Sequence, residues 1–260
     1  MLLPEIAKMY GVLVDDLYKE NPEGYENLAR RLVAVYESTW KHEDFMAAAT
    51  EFEKMEKAGT MTPEDVRSYG VIHEYMMTIC RRKAVELYDR AMELSKEDAD
   101  LFYRTKRQKI ILRANVGEGQ ACIDEQKQAV KDAPGNAEEY TCLVSAYYWA
   151  KQYEECYTAV KNAIAKFPEE ASLYGFAGDT CRELKKYDEA FVYWEKHLEL
   201  EPKWLDSLHS IAFCYEELGE YEKACGAWTR IAKILQERGL DVDSKWPLEM
   251  AEKCKEKMGK

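Results

Sequence analysis

Two histidine-led phrases come first, because they begin as a zinc-protease helix begins. "HEDFM" starts at His42 and "HEYMM" at His73. A second histidine four residues on would put two imidazoles on one helix face around a zinc ion. Met46 and Met77 stand there instead, so the second ligand is missing and both phrases read as ordinary helix residues. "GEGQAC", from Gly117, has two close glycines. It lacks a third glycine, a following Lys-Ser/Thr and a preceding strand, so it is no phosphate loop. No GxSxG and no Cys–His pair at a known spacing occurs. The eight cysteines are scattered singly, without a CxxC, and read as small apolar side chains kept reduced in a cytoplasm. The expectation is therefore a non-enzyme with no catalytic residues, no metal and no cofactor.

One cluster could do recognition chemistry. "YRTKRQK" sets Arg104, Lys106, Arg107 and Lys109 within six residues of an otherwise acidic chain. On a helix Arg104 and Arg107 share one face, and Lys106 and Lys109 another. An arginine pair can grip a carboxylate, which points to an acidic side chain or a peptide's carboxylate end as ligand. The same arginines could equally pair with Glu or Asp of neighbouring helices. The chain's 260 residues carry a net charge of −12. That repels phosphate backbones and anionic lipid heads, so nucleic acid is not expected as a partner of this chain alone. No apolar run reaches the roughly 18 to 20 residues of a membrane span, and no signal peptide is visible. A soluble cytoplasmic protein is expected.

The elements that must position these residues repeat. Pro134, Pro168 and Pro202 are 34 apart, as are Tyr153, Tyr187 and Tyr221, and so are Cys122, Cys156, Ala190 and Ala224. Trp194 and Trp228 keep the same interval, as "KKYDEAFVYWEKHLELEP" and "GEYEKACGAWTRIAKI" make plain. Each period holds two amphipathic helices, with a small residue where they touch and a proline closing the second. This resembles the tetratricopeptide repeat. The resemblance implies an all-α, right-handed solenoid of helix–turn–helix units, in which stacking buries the apolar faces.

Residues 137–238 hold three clear units, 137–170, 171–204 and 205–238. Residues 23–136 hold degenerate ones: 29–62 with Ala48 and Phe52 in place, about 65–98 with Ala84, Tyr88 and Ala91, and about 99–136, four residues longer near "NVGEGQ". Residues 239–260 read as a capping helix.

In that family the first helix of each unit lines a concave groove, through its positions 2, 5, 9, 12 and 13. Carried onto this sequence, the groove takes Tyr69 and His73, then Tyr103 and Arg107, with Arg104 beside them at position 6. Thr141, Ser145 and Tyr148 follow, then Asp179, Arg182 and His209. The partner implied is a protein or peptide, acidic or carboxylate-ended, with homo-oligomerisation left open. The family's chaperone-binding version uses Lys and Asn where this chain has Tyr103 and Arg107, so that role is not expected.

Residues 1–22 do not follow the repeat. "EIAKMYGVLVDDLY" resembles the last two helices of a bacterial Xre-type helix-turn-helix domain. The resemblance implies the ligand-sensing or oligomerisation half of a transcription regulator whose DNA-binding part is absent from this chain. The same residues also resemble the second half of a LysM module, or read as a plain capping pair. A free-standing cytoplasmic adaptor joining partner proteins is the alternative reading.

Overall fold

The computed structural model describes residues 28–258. The "EIAKMYGVLVDDLY" phrase lies outside the described residues. Among those described, the helices are α1 (Leu28–Thr39), α2 (His42–Ala58), α3 (Pro63–Leu94), α4 (Ala99–Arg113), α5 (Gly119–Asp132), α6 (Ala137–Trp149) and α7 (Tyr153–Lys166). α8 (Ala171–Glu183), α9 (Tyr187–Leu200), α10 (Leu205–Glu217), α11 (Tyr221–Glu237) and α12 (Lys245–Met258) complete the order. No strand is present among them, and no helix is long and apolar enough to cross a membrane. The described residues are all-α, built from consecutive antiparallel helix pairs in the second half. Contacts divide the chain into two compact units, Met1–Glu86 and Leu87–Lys260.

In the second unit the 34-residue interval is written into the backbone. α5, α7, α9 and α11 begin at 119, 153, 187 and 221. The residues two before them, Gly117, Lys151, Lys185 and Gly219, all have positive φ, from 60° to 93°. That left-handed residue ends the preceding helix. Around Lys185, for instance, its N–H donates to the Arg182 carbonyl while that of Lys186 reaches the Cys181 carbonyl, so carbonyls at the helix end are satisfied. The long unit keeps this register at Gly117 and takes up its four extra residues as two in α4 and two in the π turn over Ala114–Glu118 that follows it. Asp98 and Asn136 cap α4 and α6 by accepting from the N–H groups of Leu101 and Glu138, each at 3.0 Å.

The small residues at the intra-unit seams, Cys122, Cys156, Ala190 and Ala224, are all fully buried. Trp194 and Trp228 fill the layers beside them and are fully buried too. Gly178 is required by that packing. A Cβ there would lie 2.4 Å from the Trp194 ring.

The first unit departs from the two-helix unit expected over about 65–98. α3 runs unbroken through 32 residues. "TICRRK", where a turn would fall, contains neither Gly nor Pro. More decisively, no residue from 77 to 94 is buried. Met77, Leu87 and Leu94 stay exposed along it, so the second-helix spacing of this stretch is not used to close a helix pair. Ahead of it α1 and α2 form a helical pair turning at Trp40, φ 55°. Tyr36, Ala48 and Phe52 are buried in a core that Ile72 and Met76 of α3 complete. Asp65 is buried there as well and accepts from Arg30 Nε at 2.7 Å.

Candidate functional site

Within the second unit, α4, α6, α8 and the start of α10 line a groove of about 600 Å³. α4 brings Asp100, Arg104 and Arg107; α6 brings Ser145, Tyr148 and Trp149. α8 adds Phe176 and Asp179, and the far end is closed by His197, Trp204, Asp206 and Ser207. Of the residues expected from the sequence, the structure thus gathers Arg104, Arg107, Ser145, Tyr148 and Asp179 around one hollow.

The others are elsewhere. Tyr103 braces α4 to the neighbouring unit: its hydroxyl donates to Glu139 Oε1 at 3.1 Å and accepts from Asn136 Nδ2 at 2.6 Å. Burial and Glu139 push its phenol up to about 12. Thr141 is fully buried and donates to the Ala137 carbonyl at 3.2 Å. Arg182 spans to α10, with Nε and Nη2 on the two oxygens of Glu217 at 3.3 and 3.2 Å. His209 donates through Nδ1 to the Leu205 carbonyl at 2.8 Å and packs against Trp228 and Trp246. Tyr69 and His73 belong to the aromatic core of the first unit, where Tyr69 meets Phe52 and His73 meets Phe45 edge-on. Counting helix positions places side chains near the concave face. It does not say which of them the neighbouring helix will take up.

The four cations of "YRTKRQK" are all partnered. Lys106 pairs with Glu139 at 2.5 Å, Lys109 with Asp89, and Arg107 with Glu138 on α6. Burial raises the Glu138 carboxyl despite Arg107 beside it. Arg104 differs from the rest. It is 63% exposed and, among the described residues, reaches only Asp100, one turn earlier, at 3.7 Å. A pair so exposed contributes little and leaves the guanidinium available to a ligand.

At the other end Asp179 is held on one side only. Trp194 Nε1 at 2.9 Å and Ser210 Oγ at 2.8 Å both donate to its Oδ1. No hydrogen bond reaches Oδ2 among the described residues. Burial pushes this carboxyl up to about 6, against the pull of those two donors and of Arg182. Burial, with Asp179 and Glu183 nearby, also raises Tyr148. His197 and Ser207, both buried, meet at 2.8 Å through Nδ1 and Oγ, and burial lowers the imidazole, keeping it neutral. Ser145 is fully buried in the groove lining, and its hydroxyl has no hydrogen-bond partner among the described residues.

Counting positions on the first helices alone does not reach Trp204, His197 or Ser207. Trp204 lies between units and His197 on a second helix. The signal is present in "EPKWLDS", a tryptophan shortly after a helix-ending proline. A second hollow of about 610 Å³ lies beside Lys127, Tyr140, Tyr147 and Glu155. Its ring faces are already taken, by Lys127 over Tyr147 at 5.5 Å and Lys166 over Tyr140 at 4.9 Å. In the groove, no cation of the described residues covers Tyr148, Trp149, Phe176 or Trp204.

A family model for the tetratricopeptide repeat matches residues 171–203, which span α8, α9 and the turn after them. Residues 171–203 thus match one tetratricopeptide repeat, and the helix pairs on either side follow at the same 34-residue interval. The chain is 37% identical over 76 residues to the uncharacterized protein ycf37 of Guillardia theta, a stretch of 29% of this chain and 39% of that protein. The chain thus matches well under half the length of that relative. Among solved structures it is similar to TTC0263, a thermophilic TPR protein of Thermus thermophilus. That match has 18% identity over 86% of this chain and 98% of that one, with a TM-score of 0.48. A mutant form of MamA is 21% identical over 62% of this chain and 99% of that one, at a TM-score of 0.41.

Proposed function

We propose that this chain is a non-enzymatic protein-interaction scaffold, and that the groove from α4 to α10 holds a peptide segment of a partner. The observation that carries this is the set of four aromatic rings, Tyr148, Trp149, Phe176 and Trp204, lining one hollow without a covering cation. Elsewhere in the fold lysines cap tyrosines, at Tyr140, Tyr147 and Tyr157 among others. Aromatic side chains in a concave site, with a few polar groups among them, are what recognition surfaces use. The test is an array of random decapeptides probed with the full chain. Peptides bound by the wild type are expected to lose at least about tenfold in affinity to Phe176→Ala, a truncation of a ring at the groove. Binding unaffected by Phe176→Ala and Trp149→Ala together would remove the groove from the proposal.

The wider context is open to two readings. The likeness of "EIAKMYGVLVDDLY" to an Xre-type domain favours a sensing half of a cytoplasmic bacterial transcription regulator, with DNA contacted by another segment. A free-standing adaptor fits the fold as well. Reading the genomic sequence upstream of Met1 separates them: an in-frame helix-turn-helix supports the first. The charge of −12 opposes DNA binding by this chain itself.

A further inference from the structure

The groove is polarised, and this bears on what enters it; the inference rests on the groove reading above. At the α4 end stands Arg104, largely exposed and weakly paired. At the α8–α10 end stand two carboxylates, Asp179 and Asp206. Neither has an ion-pair partner within 4 Å among the described residues. Asp179 is the better placed of the two. Its Oδ1 is fixed by Trp194 and Ser210, which aims the group, and its Oδ2 is left without a donor among the described residues. The surrounding faces, Phe176, Tyr148 and Trp204, are electron-rich rings of the kind that hold cations. Ser145, in the same lining, adds a buried hydroxyl without a partner among those residues. A carboxylate oriented by two donors, kept partly out of water and sharing its groove with three aromatic rings, is complementary to a cation with several N–H groups.

We infer that the Asp179 end of this groove is a subsite for a basic side chain, lysine or arginine, of a partner segment whose acidic group lies toward Arg104. The acidic ligand suggested by the arginine cluster thus describes one half of the partner. The titration of Asp179 agrees with this. It is faced by Tyr148 of α6, Cys156 of α7, Arg182 of its own helix, Trp194 of α9, and Asp206 and Ser210 of α10. Arg182, the cation among them, is engaged by Glu217. A bound cation would stabilise the charged form, so binding of the basic residue weakens as pH falls below about 6.

The experiment uses four sets of synthetic decapeptides of matched apolar content: basic, acidic, mixed and uncharged. Each is titrated by fluorescence anisotropy against the full chain at pH 7.5 and pH 5. Asp179→Asn retains an oxygen for Trp194 and Ser210 and replaces only the open oxygen, by an amide. It is expected to cut binding of basic and mixed peptides at least tenfold at pH 7.5, with acidic peptides changed less than twofold. Arg104→Ala is expected to cut binding of acidic and mixed peptides, with basic peptides changed less than twofold. Basic and mixed peptides that bind Asp179→Asn as well as wild type, or a wild type that prefers the acidic set alone, overturn the cation subsite. If Phe176→Ala still abolishes binding in that case, the groove reading survives. Failure of every set to bind the wild type overturns both.

Discussion

Asp179 is costly to the fold that carries it. Burial pushes its carboxyl up to about 6 from an ordinary 3.8. A raised folded value means that the native state holds its proton more tightly than the unfolded one. Between about pH 4 and 6 stability therefore falls as pH rises, and above about 6 the full cost is present. A shift of about two units corresponds to at most roughly 3 kcal/mol. Asp179→Asn is thus expected to raise stability by about 1 to 3 kcal/mol at pH 7.5 and to leave it nearly unchanged at pH 4. Urea melts at the two pH values check this, and an equal effect at both would contradict the assignment. Trp228 is a contrasting case. It is fully buried, and its Nε1 donates to Glu216 Oε1 at 2.8 Å. Trp228→Ala should cost about 3 to 5 kcal/mol in the same melts, as a large-to-small core change. A loss below about 1 kcal/mol would mean that the ring is not packed between units.

At the scale of helices and turns, the register is set by single residues with positive φ. Gly219 sits at φ 75° and Lys185 at 61° in the equivalent turn. Gly219→Ala should therefore lose about 1 kcal/mol, and Lys185→Gly should gain a few tenths, because a Cβ is disfavoured in the left-handed region. Equal and negligible effects in thermal melts would show that these turns are not strained. Much of this layer could be read in the sequence. Pro202, Tyr187, Tyr221 and the seam residues Ala190 and Ala224 are periodic because one steric problem recurs in each unit. The break at α3 could not be read so easily. Ala84, Tyr88 and Ala91 have second-helix spacing, but spacing does not reveal whether a first helix lies opposite to be covered. The same limit applies to the groove. Arg104 and Arg107 stand on one helical face in any reading, yet only the packing of α4 against α6 shows Arg107 engaged by Glu138 and Arg104 open.

For the whole molecule, apolar packing falls into separate clusters. Tyr36, Phe45 and Phe52 centre one of them; Trp194, Trp228 and Ile231 centre another. In a stack held by neighbour contacts, damage in one cluster should stay largely local. Phe52→Ala is expected to speed amide exchange in α1 and α2 while leaving α9 and α11 within about twofold of wild type; uniform loss of protection would argue for one cooperative block. The hydrogen bond from Trp194 to Asp179 has a further, optical consequence. A buried indole whose N–H points at a carboxylate that gains or loses charge near pH 6 is an intrinsic fluorophore wired to the groove. Emission excited at the tryptophan band should follow a titration with its midpoint in that range and vanish from Asp179→Asn. The same signal, at constant pH, would report occupancy of the groove without a label on either molecule.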